Sequence, residues 1–237
     1  MGMCLPFWTL VFISLTSESI DANLIAARLQ ARYKAAKSLQ ASFLEKYTEG
    51  GSVVRSEAGI AYFLRPGKMR WEYESPEKNV FLVDGKTAWF YVPADHTVTR
   101  VPAKKSGDLR TPMALLAGEM KVSRVCARVE IALVIQPDSP ANAVIHCPLR
   151  GEASSANKID PKDEAAHEAV SSDDAFFEVV RDTGELVRII VRESGGVEVE
   201  FSFSRWQIDP PLPVSLFRFD VPKGVAIVNG ELPPGNE

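Results

Sequence analysis

Histidine and cysteine are scarce in this chain. Three of each occur in 237 residues: His96, His146 and His167, and Cys4, Cys126 and Cys147. No histidine has a partner at metal-ligand spacing, and the cysteines form no C-x-x-C pair. The sequence also has no G-x-S-x-G, no phosphate loop and no G-x-G-x-x-G. The usual sequence-local signatures of metal, nucleophile and nucleotide chemistry are therefore missing, and neither an enzyme nor a cofactor is expected. Acidic residues are frequent, but in strand-like stretches they alternate with apolar ones, as a solvated face would; a spatial carboxylate pair is invisible at this level. Lys and Arg total 27 against 31 Asp and Glu, a net charge of −4. No basic patch argues for a nucleic-acid partner. The longest apolar run, Leu5 to Leu15, is too short to span a bilayer.

That run reads instead as a secretory leader over residues 1–20. It ends in small polar residues, with Ser17 and Ser19 suited to precede a cut. Its amino-terminal side is atypical, since no Lys or Arg precedes Arg28. Removing the leader takes Cys4 and leaves Cys126 and Cys147, in "VSRVCARVEIALVI" and "NAVIHCPLR". Both stretches look like strands, joined through the turn-rich "QPDSPA". A hairpin would bring the two cysteines opposite each other, and an oxidising compartment would join them. Two buried free thiols are the alternative. The rest of the chain, 46% hydrophobic and 24% charged, suits a single domain over residues 21–237 with a sizeable core.

Residues from about Ala22 to Lys37 predict an amphipathic helix, with Ile25, Leu29, Tyr33 and Ala36 on one face. The period then changes to two at Leu39, Ala41 and Phe43. Strand-like runs follow, punctuated by Gly50-Gly51, Pro66-Gly67, Asp84-Gly85, Thr183-Gly184 and Gly195-Gly196, with "SLFRFDVP" as a last strand. Two stretches interrupt the meander. In "RTPMALLAGE", Thr111 suits a cap, Pro112 a first helical position and Gly118 a stop, giving a helix of about two turns that needs an apolar surface beneath it. Residues 151–175 are polar and mixed in charge, and read as an exposed insertion. The tally is about ten or eleven antiparallel strands with one N-terminal helix and short helices against the open side. That pattern is mainly β, a curved sheet or incomplete antiparallel barrel.

The stretch "GIAYFLRPGKMRWEYESP" is the richest in aromatics. A two-residue loop at Pro66-Gly67 would pair Leu64 with Met69, Tyr62 with Trp71 and Ile60 with Tyr73, all on one face. Primed turns suit such loops better than the type II signature seen here, which leaves room for a wider loop and another register. The shared face is either one wall of an ordinary core or the lining of an apolar cavity.

"GIAYFLRPGKMRWEY", "VFLVDGKTAWFYVP", "TPMALLAG" and "FRFDVPKGV", in that order between Asn23 and Val228, resemble the periplasmic lipoprotein carrier family LolA. The resemblance implies an incomplete antiparallel β-barrel whose helices close as a lid over a hydrophobic cavity. It implies acylated lipoproteins as cargo, received from an inner-membrane ABC transporter and passed to an outer-membrane receptor, in the periplasm of a Gram-negative bacterium. A monomer is expected. Tyr62, Leu64, Met69, Trp71, Tyr73, Trp89, Leu115 and Leu116 would line the cavity. Arg65, before the proline, would hold the lid closed through carbonyls near Gly118. The polar insertion and the cysteine pair depart from the family pattern. On the same fold, a carrier or sensor of another lipid is the alternative, serving glycolipid transport or envelope-stress sensing.

Overall fold

Asp21 starts the first helix: its Oδ1 accepts the Asn23 backbone N–H at 2.9 Å, satisfying one of the donors that a helix start leaves open. In the computed structural model, which describes residues 21–103, 116–118, 122–149, 173–193 and 195–230, this helix is α1, Ala22–Lys34. It ends three residues earlier than the periodicity suggests. Lys37 and Ser38 instead donate their backbone N–H groups to Asp209 Oδ1, at 2.6 and 3.3 Å, which turns the chain into the sheet. Ile25, Leu29 and Tyr33 are buried, as the apolar face requires. The leader, most of the Thr111–Gly118 helix including Leu115, His167 and nearly all of the polar insertion lie outside the described residues.

The strands are β1 (Ser38–Glu49), β2 (Ser52–Leu64), β3 (Lys68–Ser75), β4 (Val80–Val83), β5 (Thr87–Val92), β6 (Thr97–Pro102), β7 (Glu130–Ile131), β8 (Asn142–Pro148), β9 (Asp174–Val180), β10 (Leu186–Arg192), β11 (Val197–Ile208) and β12 (Ala226–Asn229), with a short helix α2 (Val122–Val125) before β7. They form one sheet of 12 strands in the order β12-β6-β5-β4-β3-β2-β1-β11-β10-β9-β8-β7. Its ends, β12 and β7, do not pair, so the sheet stays open. It is also strongly curled. Trp71 on β3 and β11 lie three strands apart, about 14 Å on a flat sheet, yet the Trp71 ring sits 5.4 Å from that of Phe201. One inner face thus wraps around one core, shared by α1, β1–β6 and β8–β11. Among the described residues no helix is long and apolar enough to cross a membrane.

Several expectations need correction. The hairpin loop holds three residues, Arg65 to Gly67, because Leu64 pairs with Lys68. Gly67 takes the left-handed backbone (φ 66°) that ends such loops. Slipping the register by one reverses the faces. Phe63, Ala61 and Gly59 therefore stand opposite Met69, Trp71 and Tyr73, while Tyr62 and Leu64 go to the outer face opposite Arg70 and Lys68. Trp89 pairs with Leu82 and Arg100 and is also on the outer face. The "VSRV" segment is helical, not a strand. "SLFRFDVP" is not a strand either. It begins with a 3-10 turn, Val214–Phe217, and lays Phe219 flat against Trp89 at 5.3 Å. The final strand is β12, and it runs parallel to β6.

Candidate functional site

The inner face is lined by rings. Phe43 lies 4.7 Å from Trp71 and 5.1 Å from Tyr73, while Phe63, Phe201 and Phe203 pack edge-on around the same indole at 5.9, 5.4 and 6.1 Å. Edge-to-face packing of this kind suits the ring quadrupoles. The strand period makes the cluster: alternate residues of β1, β2, β3 and β11 all point inward. Met69, Trp71 and Tyr73 are on this face, as expected; Tyr62, Leu64 and Trp89 are not.

Two covers close the face. The first is α1, whose Tyr33 packs 5.2 Å from Trp206. The Tyr33 hydroxyl accepts the Leu186 backbone N–H at 3.0 Å, and burial, above all, pushes its pKa up to about 12. A side chain at Gly184 (φ 71°) would overlap the Arg28 carbonyl, so the missing Cβ lets the helix backbone rest on the β9–β10 turn. The second cover is formed by residues 116–118 and 122–126. Leu116 and Ala117 are buried in the shared core, and Gln30 on α1 accepts the Val122 backbone N–H at 3.2 Å.

Arg65 touches both covers. Its Nη1 donates to the Lys34 carbonyl at 2.6 Å, in the last turn of α1, where helix carbonyls lack intrahelical partners. Its backbone N–H donates to Lys37 O at 3.0 Å, and two residues on, Gly67 N–H donates to Ala117 O at 3.2 Å. Gly118 (φ 93°) packs so closely on the Arg65 side chain that a Cβ there would overlap it. Among the described residues, the carbonyl that the guanidinium bonds belongs to α1, and Gly118 is held by contact. Burial lowers the guanidinium pKa, with Asp209 opposing. Because Arg65 sits in the loop, strand alternation does not fix its direction.

Cys126 and Cys147 are joined, with an S–S distance of 2.04 Å. Cys126 ends the second cover and Cys147 lies inward on β8, so the bond ties that cover to the sheet. The two residues are 21 apart in sequence, and closing such a loop is worth about 3 kcal/mol in the chain-entropy model. Urea unfolding of a Cys126→Ser/Cys147→Ser variant should show a loss near that size; an unchanged midpoint would remove the disulfide from the account of stability.

The sequence reading missed a polar group on the same inner face. Glu45 is buried and accepts the Tyr73 hydroxyl at 2.8 Å. Arg55 approaches Glu45 at 3.9 Å and Glu57 at 3.0 Å, and lies 5.3 Å from the Tyr47 ring centre. The signal was present: the inward period Leu39, Ala41, Phe43 continues to Glu45. Of the described histidines, neither adds to this face. His146 bonds Asp174 at 2.7 Å and stacks on Phe176, and His96 sits in a turn. Among the described residues no group of three or more His, Cys, Asp or Glu is arranged to hold a metal.

Residues 34–137 match the model of the outer membrane lipoprotein carrier protein LolA family. Along 234 residues the chain is 31% identical to the outer-membrane lipoprotein carrier protein of Chromobacterium violaceum, covering 93% of this chain and 98% of that protein. The chain belongs to the LolA family. The matched region includes β1 to β6, Arg65, Gly118 and Cys126. A second family member, the outer-membrane lipoprotein carrier protein of Nitrosomonas europaea, is 28% identical over 200 residues, covering 81% of this chain and 83% of its own. The solved structure of an uncharacterized conserved protein from Thermus thermophilus shares the fold: its TM-score is 0.51 at 12% identity, covering 88% of this chain and 99% of that one.

Proposed function

We propose that this LolA-family protein is a periplasmic carrier that binds the acyl chains of lipoproteins on its inner face. It takes them from an inner-membrane ABC transporter to an outer-membrane receptor. The observation that carries this reading is the pair of covers meeting at Arg65 over one continuous aromatic face. The names of the relatives support lipoproteins as the cargo class. Each buried methylene of an acyl chain contributes about 0.8 kcal/mol, so fully buried chains would be held too tightly to hand over. Covers that pack into the same face supply the opposing term. Ile25, Leu29, Tyr33 and Leu116 occupy it when cargo is absent, and their return helps expel the chains. No bond is made or broken in this cycle, so the protein works without catalysis.

The test is mass spectrometry of what co-purifies with the protein from the periplasm of a Gram-negative host. Acylated polypeptide is the expected result. Free lipid with no polypeptide would replace this reading with a carrier of another lipid on the same fold.

A further inference from the structure

Trp71 is 2% exposed, at the centre of the aromatic cluster, and among the described residues its indole Nε1–H has no hydrogen-bond partner. Buried donors are nearly always paired, and an exception calls for an explanation. Most of a core tryptophan's value lies in its area, which a phenylalanine would largely supply. An indole N–H left unpaired here is a cost of the closed fold.

The neighbouring polar group gives that donor a context. Trp71 and Tyr73 are alternate residues of β3, and Phe43 touches both rings. One step further along β1, Glu45 accepts from Tyr73, with Arg55 and Glu57 beside it. Glu45 pairs with Glu57, and Tyr47 with Arg55, across β1 and β2. The inner face therefore changes character along the strands. Toward Arg65 it is Leu39, Phe63 and Met69; toward the β1–β2 turn it is two carboxylates, a guanidinium and two phenols. Trp71 stands between the two zones.

We infer that the inner face reads the linkage of its ligand: Trp71 Nε1–H donates to the ester or amide carbonyl of a bound acyl chain. The hydrocarbon then runs toward Arg65, and the polar head lies against Glu45, Tyr73, Arg55 and Glu57 near the β1–β2 turn. A neutral carbonyl fits because it accepts a hydrogen bond and costs little to desolvate. A free carboxylate does not, since the adjoining group carries two carboxylates against one guanidinium. An ether-linked chain has no carbonyl to offer. This inference names the ligand chemistry of the proposed carrier and rests on that reading.

The test uses three probes with the same alkyl length: monomyristoylglycerol, its tetradecyl ether analogue and myristate. Each competes with the fluorescent dye phenylnaphthylamine for the intact protein. The ester should bind roughly tenfold tighter than the ether, the value of one hydrogen bond in a dry site, and myristate should bind most weakly. In Trp71→Phe the ester should fall to the level of the ether. In isotope-labelled wild type, the Trp71 indole N–H resonance should move downfield with the ester and stay in place with the ether. This last measurement needs no variant to fold. Equal binding of ester and ether by wild type, or a preference that survives Trp71→Phe, overturns the inference and leaves the carrier reading standing. If none of the three probes displaces the dye, the carrier reading fails with it.

Discussion

Replacing Arg65 with leucine should leave the sheet folded and slow the hand-over of cargo by tenfold or more. The guanidinium holds the last turn of α1 through Lys34 O and is overlaid by Gly118 of the second cover. A hydrogen bond to a charged group is worth roughly 1.5–3 kcal/mol, and each 1.4 kcal/mol is tenfold in an equilibrium. Losing it weakens the closed, empty state, which is the state that competes with bound acyl chains. Loaded protein then keeps its cargo. Leucine keeps apolar bulk against Gly118 but offers α1 no donor. Arg65→Lys should recover part of the rate, because an ammonium can reach one carbonyl yet cannot present a flat fork to Gly118. The measurement is transfer from loaded carrier to acceptor membranes. A wild-type rate in a folded Arg65→Leu protein would remove the latch from the mechanism.

Glu178→Ala should cost about 3 kcal/mol or more in stability. Glu178, 1% exposed, lies on the outer face of β9. It accepts the Asp138 backbone N–H and the Asn142 side-chain amide, both at 2.7 Å, and pairs with Arg188 at 2.7 Å. Burial works against the Arg188 charge, but Glu178, Asp138 and Glu200 outweigh it and hold the guanidinium pKa above its ordinary value. Removing the carboxylate leaves two donors without their acceptor and a guanidinium short of its best partner. Because buried ion pairs gain little over apolar replacements of similar size, Glu178→Ala/Arg188→Met should be more stable than Glu178→Ala alone. Urea unfolding of both variants decides the matter: a single variant as stable as wild type would show that the network holds no part of the fold.

The periods of two and 3.6 in the sequence carried most of the architecture. The turns at Gly50-Gly51, Asp84-Gly85, Thr183-Gly184 and Gly195-Gly196 all join the strands expected to flank them. The errors arose where a local rule met a tertiary demand. Pro66-Gly67 reads as a two-residue turn, but the loop also includes Arg65, and one residue moved Tyr62 and Leu64 to the other face. Phe217 and Phe219 alternate as in a strand, yet Phe217 is buried in the 3-10 turn and Phe219 packs against Trp89 and Tyr91 instead of pairing. Trp71 could be named from its neighbourhood of aromatics. That its N–H has no partner could not, because satisfaction of a buried donor depends on three-dimensional neighbours. Glu45 was overlooked because a lone acid in a strand resembles a solvent-facing one until the register is fixed.

The strand order has a consequence for how the chain assembles. β1 through β6 and β7 through β11 are each built from nearest neighbours, and strands of the two series pair with each other only where β1 meets β11. Each half can zip up through local hairpins, whereas the seam must close a far longer loop and so is expected to form late. Phe43, from one half, and Phe203, from the other, face each other across it. Until the seam closes, the aromatic floor does not exist, and two long unpaired edges stand exposed. The step that creates the binding surface is therefore also the one at which two newly made copies can pair with each other in error. A destabilising change at the seam should accordingly appear first as low yield and aggregation, before any defect in cargo binding is measurable.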